Sequence, residues 1–326
     1  MKGERGVDEA TPTPLPPGGR NAIAVTMGLM GDEWTLLILR HAHQGVRRYA
    51  DWREHLAISD SVLSARLALL TDSGLLERTA YRQRPTRYEY RLTRRGREFW
   101  PVLVSIWAWE YRWVAGHHET LPWMRHRACG ERMEPLLTCA ECGQGVRPRD
   151  IAGRLGPSGG DGRSVPAATT RRRSGAAGAG GAGLFPETMA LIGNRWSVVM
   201  LGAAFLGARR FGEFQQAMGA PPAMVADRLR AFTGLGVLAG RPSADRAAWN
   251  EYRLTGKGRA FFPVVMTAID WGQRWFRAPD GPALVSTHRG CGRAFVPRLV
   301  CDVCSAPLQE GDVLVEPAPA AVPPAT

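Results

Sequence analysis

All six cysteines of this chain fall into one repeated spacing, together with two of its seven histidines. His126-x-x-Cys129 is followed after nine residues by Cys139-x-x-Cys142, and His288-x-x-Cys291 after nine residues by Cys301-x-x-Cys304. Thiolates and a neutral imidazole suit tetrahedral zinc, and two close ligand pairs joined by a short spacer can close such a site. The spacing predicts two Cys3His sites, one from His126, Cys129, Cys139 and Cys142, the other from His288, Cys291, Cys301 and Cys304. Four protein ligands leave no open coordination position, so each zinc is expected to be structural, adding folding energy to a segment too small to hold its own core. Thiolate oxidation with release of the metal is a second reading of the same residues. A deaminase-type catalytic zinc does not fit: His126 is followed by Arg127-Ala128, His288 by Arg289-Gly290, and neither CxxC follows a proline. His41, His43, His55, His117 and His118 form no nucleophile-base pattern, His117-His118 reads as a surface pair, and no phosphate-cradling glycine loop follows a strand. An enzyme is not expected.

The same offset that relates the cysteine motifs relates most of the chain. Adding 162 to a position carries Gly31 to Gly193, Trp34 to Trp196, Arg66 to Arg228, Gly74 to Gly236, Tyr90 to Tyr252, Gly96 to Gly258 and Pro101 to Pro263 without a gap. Two complete copies therefore lie in tandem. In the first, Tyr49, Trp52 and Leu56 take helical spacing, a break follows at Ile58-Ser59-Asp60, and Val62, Leu63, Leu67 and Leu70 mark a second amphipathic helix that Gly74 ends. Leu75–Tyr81 and Arg87–Leu92 then read as strands around the polar tip Arg82-Gln83-Arg84-Pro85.

Helix, turn, helix and basic-tipped hairpin outline a winged helix-turn-helix. A helix fits the major groove of DNA, and cations on the hairpin reach phosphates or the adjacent minor groove. Ser59, Ser61, Ser64 and Arg66 are the candidate groove residues, and Arg82, Arg84 and Arg87 the candidate wing contacts; Arg66, whose counterpart Arg228 is kept in copy two, has an intradomain ion pair as its alternative. In copy two, Pro221, Pro222, Ala223 and Ala226 replace Ser59, Asp60, Ser61 and Ser64, while Ala244 and Trp249 replace Arg82 and Arg87. Arg209, Arg210, Arg228, Arg241 and Arg246 remain as phosphate contacts. The expectation is that copy one reads sequence while copy two supplies backbone contacts, pairing or regulation.

From Gly31-Asp32-Glu33-Trp34 through the ISxxxLSxRLxxLxxxGLLER pattern to Tyr88-Glu89-Tyr90-Arg91-Leu92-Thr93-Arg94-Arg95-Gly96, the chain resembles the HxlR-type winged-helix transcription regulators. The resemblance implies DNA binding, usually as homodimers, with the second helix of the turn in the groove and terminal helices forming the dimer. The Cys-Pro pair that some members use for sensing is replaced here by Asn21-Ala22 and Gly183-Leu184.

Composition sets the remaining bounds. Among 326 residues, 42 basic against 30 acidic side chains give a net charge of +12, which favours a polyanionic partner. Only Lys2 and Lys257 are lysines, so 40 of those cations are arginines, whose fixed fork suits phosphate and guanine. Drift in base composition is an alternative source of that charge. No run is long enough to span a membrane and the N-terminus has no apolar signal core, so a cytoplasmic protein is expected.

The expected order is a disordered N-terminus (1–20), winged helix 1 (21–116), zinc-binding appendage 1 (117–146), flexible linker (147–183), winged helix 2 (184–278), appendage 2 (279–314) and a disordered tail (315–326). The fold class is mainly α with small β wings, each domain followed by a zinc-ribbon-like appendage. Aromatic helices near Trp100–Trp113 and Phe261–Phe276 are expected to pair the copies or pair chains. The expected function is a DNA-binding transcriptional regulator acting as a single-chain pseudo-dimer, with double-stranded DNA as partner and a small-molecule effector as a candidate ligand. The alternatives are a protein-interaction module built on winged helices and a redox-responsive regulator using the zinc thiolates.

Overall fold

Four helices of the first copy begin on side chains suited to cap them. Asn21, Asp32, Ser59 and Thr93 accept hydrogen bonds from the backbone N–H groups of Ala24, Thr35, Val62 and Gly96 at 3.0–3.4 Å. The computed structural model describes residues 11–160, 162–167, 185–242 and 250–316. Arg246, Ala244 and Trp249 of the second wing and the linker arginines 171–173 lie outside them.

Copy one runs β1 (Thr13–Pro14), α1 (Ala22–Met30), α2 (Glu33–His43), α3 (Tyr49–His55), α4 (Asp60–Asp72), β2 (Leu76–Gln83), β3 (Thr86–Leu92), α5 (Arg94–Arg97), α6 (Trp100–Trp113), α7 (His117–Thr120), β4 (Trp123–His126), β5 (Pro135–Cys139) and β6 (Ile151–Leu155). Copy two runs α8 (Pro186–Ile192), α9 (Arg195–Phe205), α10 (Phe211–Met218), α11 (Pro222–Gly234), β7 (Leu238–Pro242), β8 (Asn250–Leu254), α12 (Gly256–Ala260), α13 (Phe262–Trp275), β9 (Phe276–Arg277), β10 (Leu284–His288), β11 (Pro297–Cys301) and β12 (Val313–Glu316). No single helix among the described residues is long and apolar enough to cross a membrane.

Helix α4 buries Leu63, Leu67 and Leu70 at i, i+4 and i+7, in one apolar cluster with Leu36 and Ile38 of α2 and Trp52 of α3. Each such side chain contributes about 1.5–3 kcal/mol on burial. The hairpin β2–β3 then returns the chain to Gly96, where a Cβ would lie 2.1 Å from the Leu75 carbonyl oxygen. Gly258 faces Val237 in the same way at 2.2 Å, so the repeated glycine reflects the close approach of α5 and α12 to the preceding chain.

The copies are joined along a twofold relation that can be read from residue pairs. Trp109 Nε1–H donates to the Lys257 carbonyl and Trp271 Nε1–H to the Arg95 carbonyl, each at 3.0 Å. Trp109 packs edge-on against Phe261 at 4.9 Å between ring centroids, and Trp271 against Phe99 at 5.0 Å. Aromatic side chains of α6 and α13 thus lie between the copies.

The strands extend the relation. β5 pairs antiparallel with β11, with Leu137 opposite its own counterpart Leu299, while β4 pairs with β12 and β6 with β10. Three expectations need correction here. Residues 151–155, placed in a flexible linker, form strand β6, because Ile151 to Leu155 find their backbone partners along β10. Residues 13–14, placed in a disordered terminus, pair in parallel with β9, and Arg95 fixes them through Thr13 Oγ1 at 3.0 Å. Finally, the appendages are not two separate modules. Their strands interleave over a shared apolar cluster that includes Trp107, Met124, Leu137, Phe262, Phe295 and Leu299, so α6 and α13 supply the core these segments lack alone.

Candidate nucleic-acid interface and metal clusters

The turn between α3 and α4 presents its polar groups outward. Ser59, Ser61 and Ser64 are exposed at the start of α4, opposite the buried leucines. Tyr49 Oη donates to Asp60 at 3.0 Å and lies 3.3 Å from Ser64 Oγ, which ties α3 to the first turn of α4. Arg82, Arg84 and Arg87 are exposed at the wing tip. Arg82 Nε–H donates to the Arg84 carbonyl at 3.1 Å, and the side chains of Arg84 and Arg87 have no partner among the described residues. Copy one therefore exposes a short-donor helix face and three arginine side chains at its wing.

Arg66 is placed differently from the expectation. It forms a two-point ion pair with Asp32, Nε to Oδ1 at 2.8 Å and Nη2 to Oδ2 at 2.6 Å, and so points at the cap of α2 rather than into a groove. Asn194 stands where Asp32 would be in copy two, and Arg228 Nε is buried without a hydrogen-bond partner among the described residues. Both side chains of the Asp32–Arg66 pair are about one-fifth exposed, so solvent screening reduces its worth below that of a fully buried pair. Arg66→Ala is expected to cost about 1–2 kcal/mol of stability, read as a lowered melting temperature, with DNA sequence preference unchanged.

In copy two the corresponding helix α11 starts on Pro221 and Pro222, with Ala223 exposed. Arg241 is exposed on β7. The backbone N–H groups of Arg209 and Arg210 donate to Glu213 Oε2 at 2.6 and 3.0 Å, which fixes the start of α10. Cations persist here, but the short hydroxyl donors of copy one do not.

The cysteines and histidines gather into two clusters, and neither is the set expected from the spacing. One contains His126, Cys129, Cys301 and Cys304; the other contains Cys139, Cys142, His288 and Cys291. Each joins the His-x-x-Cys of one copy to the Cys-x-x-Cys of the other. The reason lies in β5. As an extended strand it carries Cys139 about 14 Å from its start at Pro135, and antiparallel pairing sets Cys301 opposite Pro135, on the His126 side.

In each cluster the four ligand atoms lie within 4.8 Å of one another. His126 Nδ1 is 3.4 Å from Cys129 Sγ and 3.3 Å from Cys304 Sγ, and Cys129 Sγ is 3.9 Å from Cys301 Sγ. His288 Nδ1 is 3.4 Å from both Cys142 Sγ and Cys291 Sγ. Zinc with bonds of about 2.3 Å to sulfur and 2.0 Å to nitrogen requires tetrahedral edges of about 3.8 Å and 3.5 Å. The distances above match those edges, so each donor set could hold a metal ion. Gly130, Gly143 and Gly292, each following the second ligand of a pair, hold φ of +73°, +74° and +70°, and Ser305 takes the fourth position at +60°. This left-handed residue folds the chain back so that both ligands of each pair face the same point.

A model of the HxlR-like helix-turn-helix family matches residues 29–118 and again 191–280. An uncharacterised HTH-type transcriptional regulator of Mycobacterium bovis is 36% identical over 136 residues, covering 42% of this chain and 86% of the relative. The uncharacterised HTH-type transcriptional regulator YdeP of Bacillus subtilis is 30% identical over 88 residues, covering 27% of this chain and 69% of its own length. Among solved structures, the Pseudomonas aeruginosa protein PA1374, described as a candidate transcription factor, is 31% identical with a TM-score of 0.34, covering 44% of this chain and 97% of that one. PA1607, described in the same terms, is 36% identical with a TM-score of 0.35, covering 41% of this chain and 92% of that one. With the family domain matched twice, over more than half its length, this chain belongs to the HxlR-like helix-turn-helix family of transcriptional regulators.

Proposed function

We propose that the chain is a single-chain pseudo-dimer that binds double-stranded DNA, with copy one reading sequence and copy two holding the backbone, and that two structural zinc ions lock the copies together. The observation that carries this reading is that Ser61 and Ser64 at the start of α4 and Arg82, Arg84 and Arg87 on the wing of the same domain are all exposed. Short hydroxyl side chains let a helix approach base edges, and arginines on a hairpin engage phosphates whatever the sequence. The pairing of Leu137 with Leu299 and the reciprocal tryptophan contacts support an intrachain dimer. The edge lengths within each cluster support zinc.

In a titration of selected DNA fragments, Arg82→Ala/Arg84→Ala/Arg87→Ala is expected to weaken all sequences by roughly tenfold or more and to lower the salt slope by about 2 to 3. Ser64→Ala should instead change the ranking of sequences. Equal affinity and equal salt slope in the triple variant would remove the wing from the interface. Capture of a protein through α6 or α13, with no salt-dependent duplex binding, would favour an interaction module instead.

A further inference from the structure

A cleft of about 970 Å³ opens in copy one between the C-terminal end of α2, the strands of the wing, α6 and the strand pair β4–β12. Its size matches pockets that enclose small organic ligands. Its lining combines the apolar side chains of Trp100, Leu103, Val104, Trp107, Leu121 and Met124 with five arginines, Arg40, Arg47, Arg91, Arg97 and Arg127, against the two carboxylates Glu77 and Glu310.

Several of these charges are already engaged. Arg91 Nε–H donates to Glu89 at 2.8 Å, Arg97 lies 3.7 Å from Glu310, and Arg127 Nε–H donates to the Gly311 carbonyl at 3.2 Å. Arg40 meets no acid. It is half-buried, it has no carboxylate partner among the described residues, its Nε is sealed from water without a hydrogen bond, and its Nη2 contacts His41 Nε2 at 3.1 Å. Arg47, exposed at the rim, has no side-chain partner among the described residues. A half-buried guanidinium without a counter-charge is costly unless an anion completes it.

The second copy shows that this is not a by-product of the fold. At the positions equivalent to Arg40, His43 and Gln44 it has Gly202, Phe205 and Leu206. Phe205 packs 5.4 Å from Phe262, the counterpart of Trp100, and Leu206 reaches towards Gly153 of β6. The corner that carries Arg40, His43 and Gln44 in copy one thus carries a glycine and two apolar side chains in copy two.

We propose that the copy-one cleft is a ligand site for an organic anion with a flat apolar body, an aryl carboxylate, whose acid group meets Arg40 and whose ring lies along Trp100 and Trp107. The cleft is walled by the wing strands on one side and by α6 and β4–β12 on the other. A ligand there touches both the reading domain and the pairing core, and so biases their relative placement. That regulatory consequence rests on the DNA-binding reading above; occupancy of the cleft does not.

Calorimetry on the full chain without DNA separates the two. 2-Naphthoate is expected to bind with 1:1 stoichiometry, and its neutral analogue 2-naphthylmethanol at least tenfold more weakly. Arg40→Gln should weaken 2-naphthoate at least tenfold, and His43→Phe, which installs the side chain that copy two has there, should abolish binding while leaving the melting temperature within a few degrees. Absence of 2-naphthoate binding at millimolar concentration, equal binding of the neutral analogue, or undiminished binding in either variant overturns the proposal. If 2-naphthoate binds as expected but leaves DNA affinity unchanged, the aryl carboxylate site stands and the coupling to DNA reading is overturned.

Discussion

A chain carrying Cys129→Ala with Cys301→Ala is expected to keep one zinc ion that resists a competing chelator, and a chain carrying Cys129→Ala with Cys139→Ala to keep none. The first pair removes two ligands from a single cluster and leaves Cys139, Cys142, His288 and Cys291 complete; the second removes one ligand from each cluster. Clusters built within each copy would give the opposite result. Loss of one thiolate from a structural zinc site should weaken it roughly a hundredfold, about 3 kcal/mol, out of a site worth about 10–16 kcal/mol. Because one cluster ties the end of β4 to the end of β11 and the other the end of β5 to the end of β10, the Cys129→Ala/Cys139→Ala chain should also lose most of the cooperativity of its thermal unfolding. Metal analysis after chelator challenge, with a melting curve on the same sample, decides the matter.

A second large effect is expected from Glu110, which is fully buried where α6 meets α8. Its Oε1 accepts from the Thr188 N–H at 2.8 Å, and His117 Nδ1 lies 3.0 Å from Oε2 without hydrogen-bond geometry. His117 is thus turned towards the copy interface and is not half of a surface histidine pair. Burial pushes the Glu110 carboxyl up to about 7, with Glu187 raising it further and Thr188 and Lys257 opposing. Burial also lowers the His117 imidazole.

The folded state therefore holds a proton on Glu110 that the unfolded chain releases at the ordinary value of 4.5. Stability from this group is unaffected below that value, falls as pH rises towards 7, and is constant above. Between pH 5.5 and pH 8 the loss is about 2 kcal/mol. Glu110→Gln keeps the acceptor for Thr188 and abolishes the titration. Urea unfolding of both chains at the two pH values should show the wild type losing about 2 kcal/mol more than the variant, and parallel losses would mean that Glu110 is ionised at no cost. At the equivalent position of α13 stands Gly272, where a Cβ would lie 2.1 Å from Thr26 Oγ1. The same helix crossing is thus closed by tight contact on one side and by a buried acid on the other.

Much of this molecule is legible in local residue patterns. The leucine spacing of α4, the stop at Gly74 and the arginine-tipped hairpin are short-range signals, set by helix periodicity and turn chemistry within a few residues. Ser61, Ser64, Arg82, Arg84 and Arg87 are exposed as that pattern implies. Arg66 was ambiguous for a physical reason: an arginine at the edge of an apolar stripe can face outward or reach an acid, and Asp32 lies thirty-four residues away. Strand β6 was not legible, because Ile151-Ala152-Gly153-Arg154-Leu155 has little intrinsic strand character and is ordered by β10 of the other copy.

The sequence alone determined that there are two copies, which eight side chains have metal-ligand chemistry, and that a winged helix-turn-helix pattern recurs in each copy, with the arginine-tipped wing in copy one. It could not determine which ligands meet. The His-x-x-Cys and Cys-x-x-Cys pairs are identical in spacing in both copies, so assembly within a copy and exchange between copies are equally compatible with the linear pattern. The tertiary structure decided between them through one element: β5 is straight, so its two ends cannot share an ion, and the antiparallel strand beside it brings the missing pair from 162 residues along the chain.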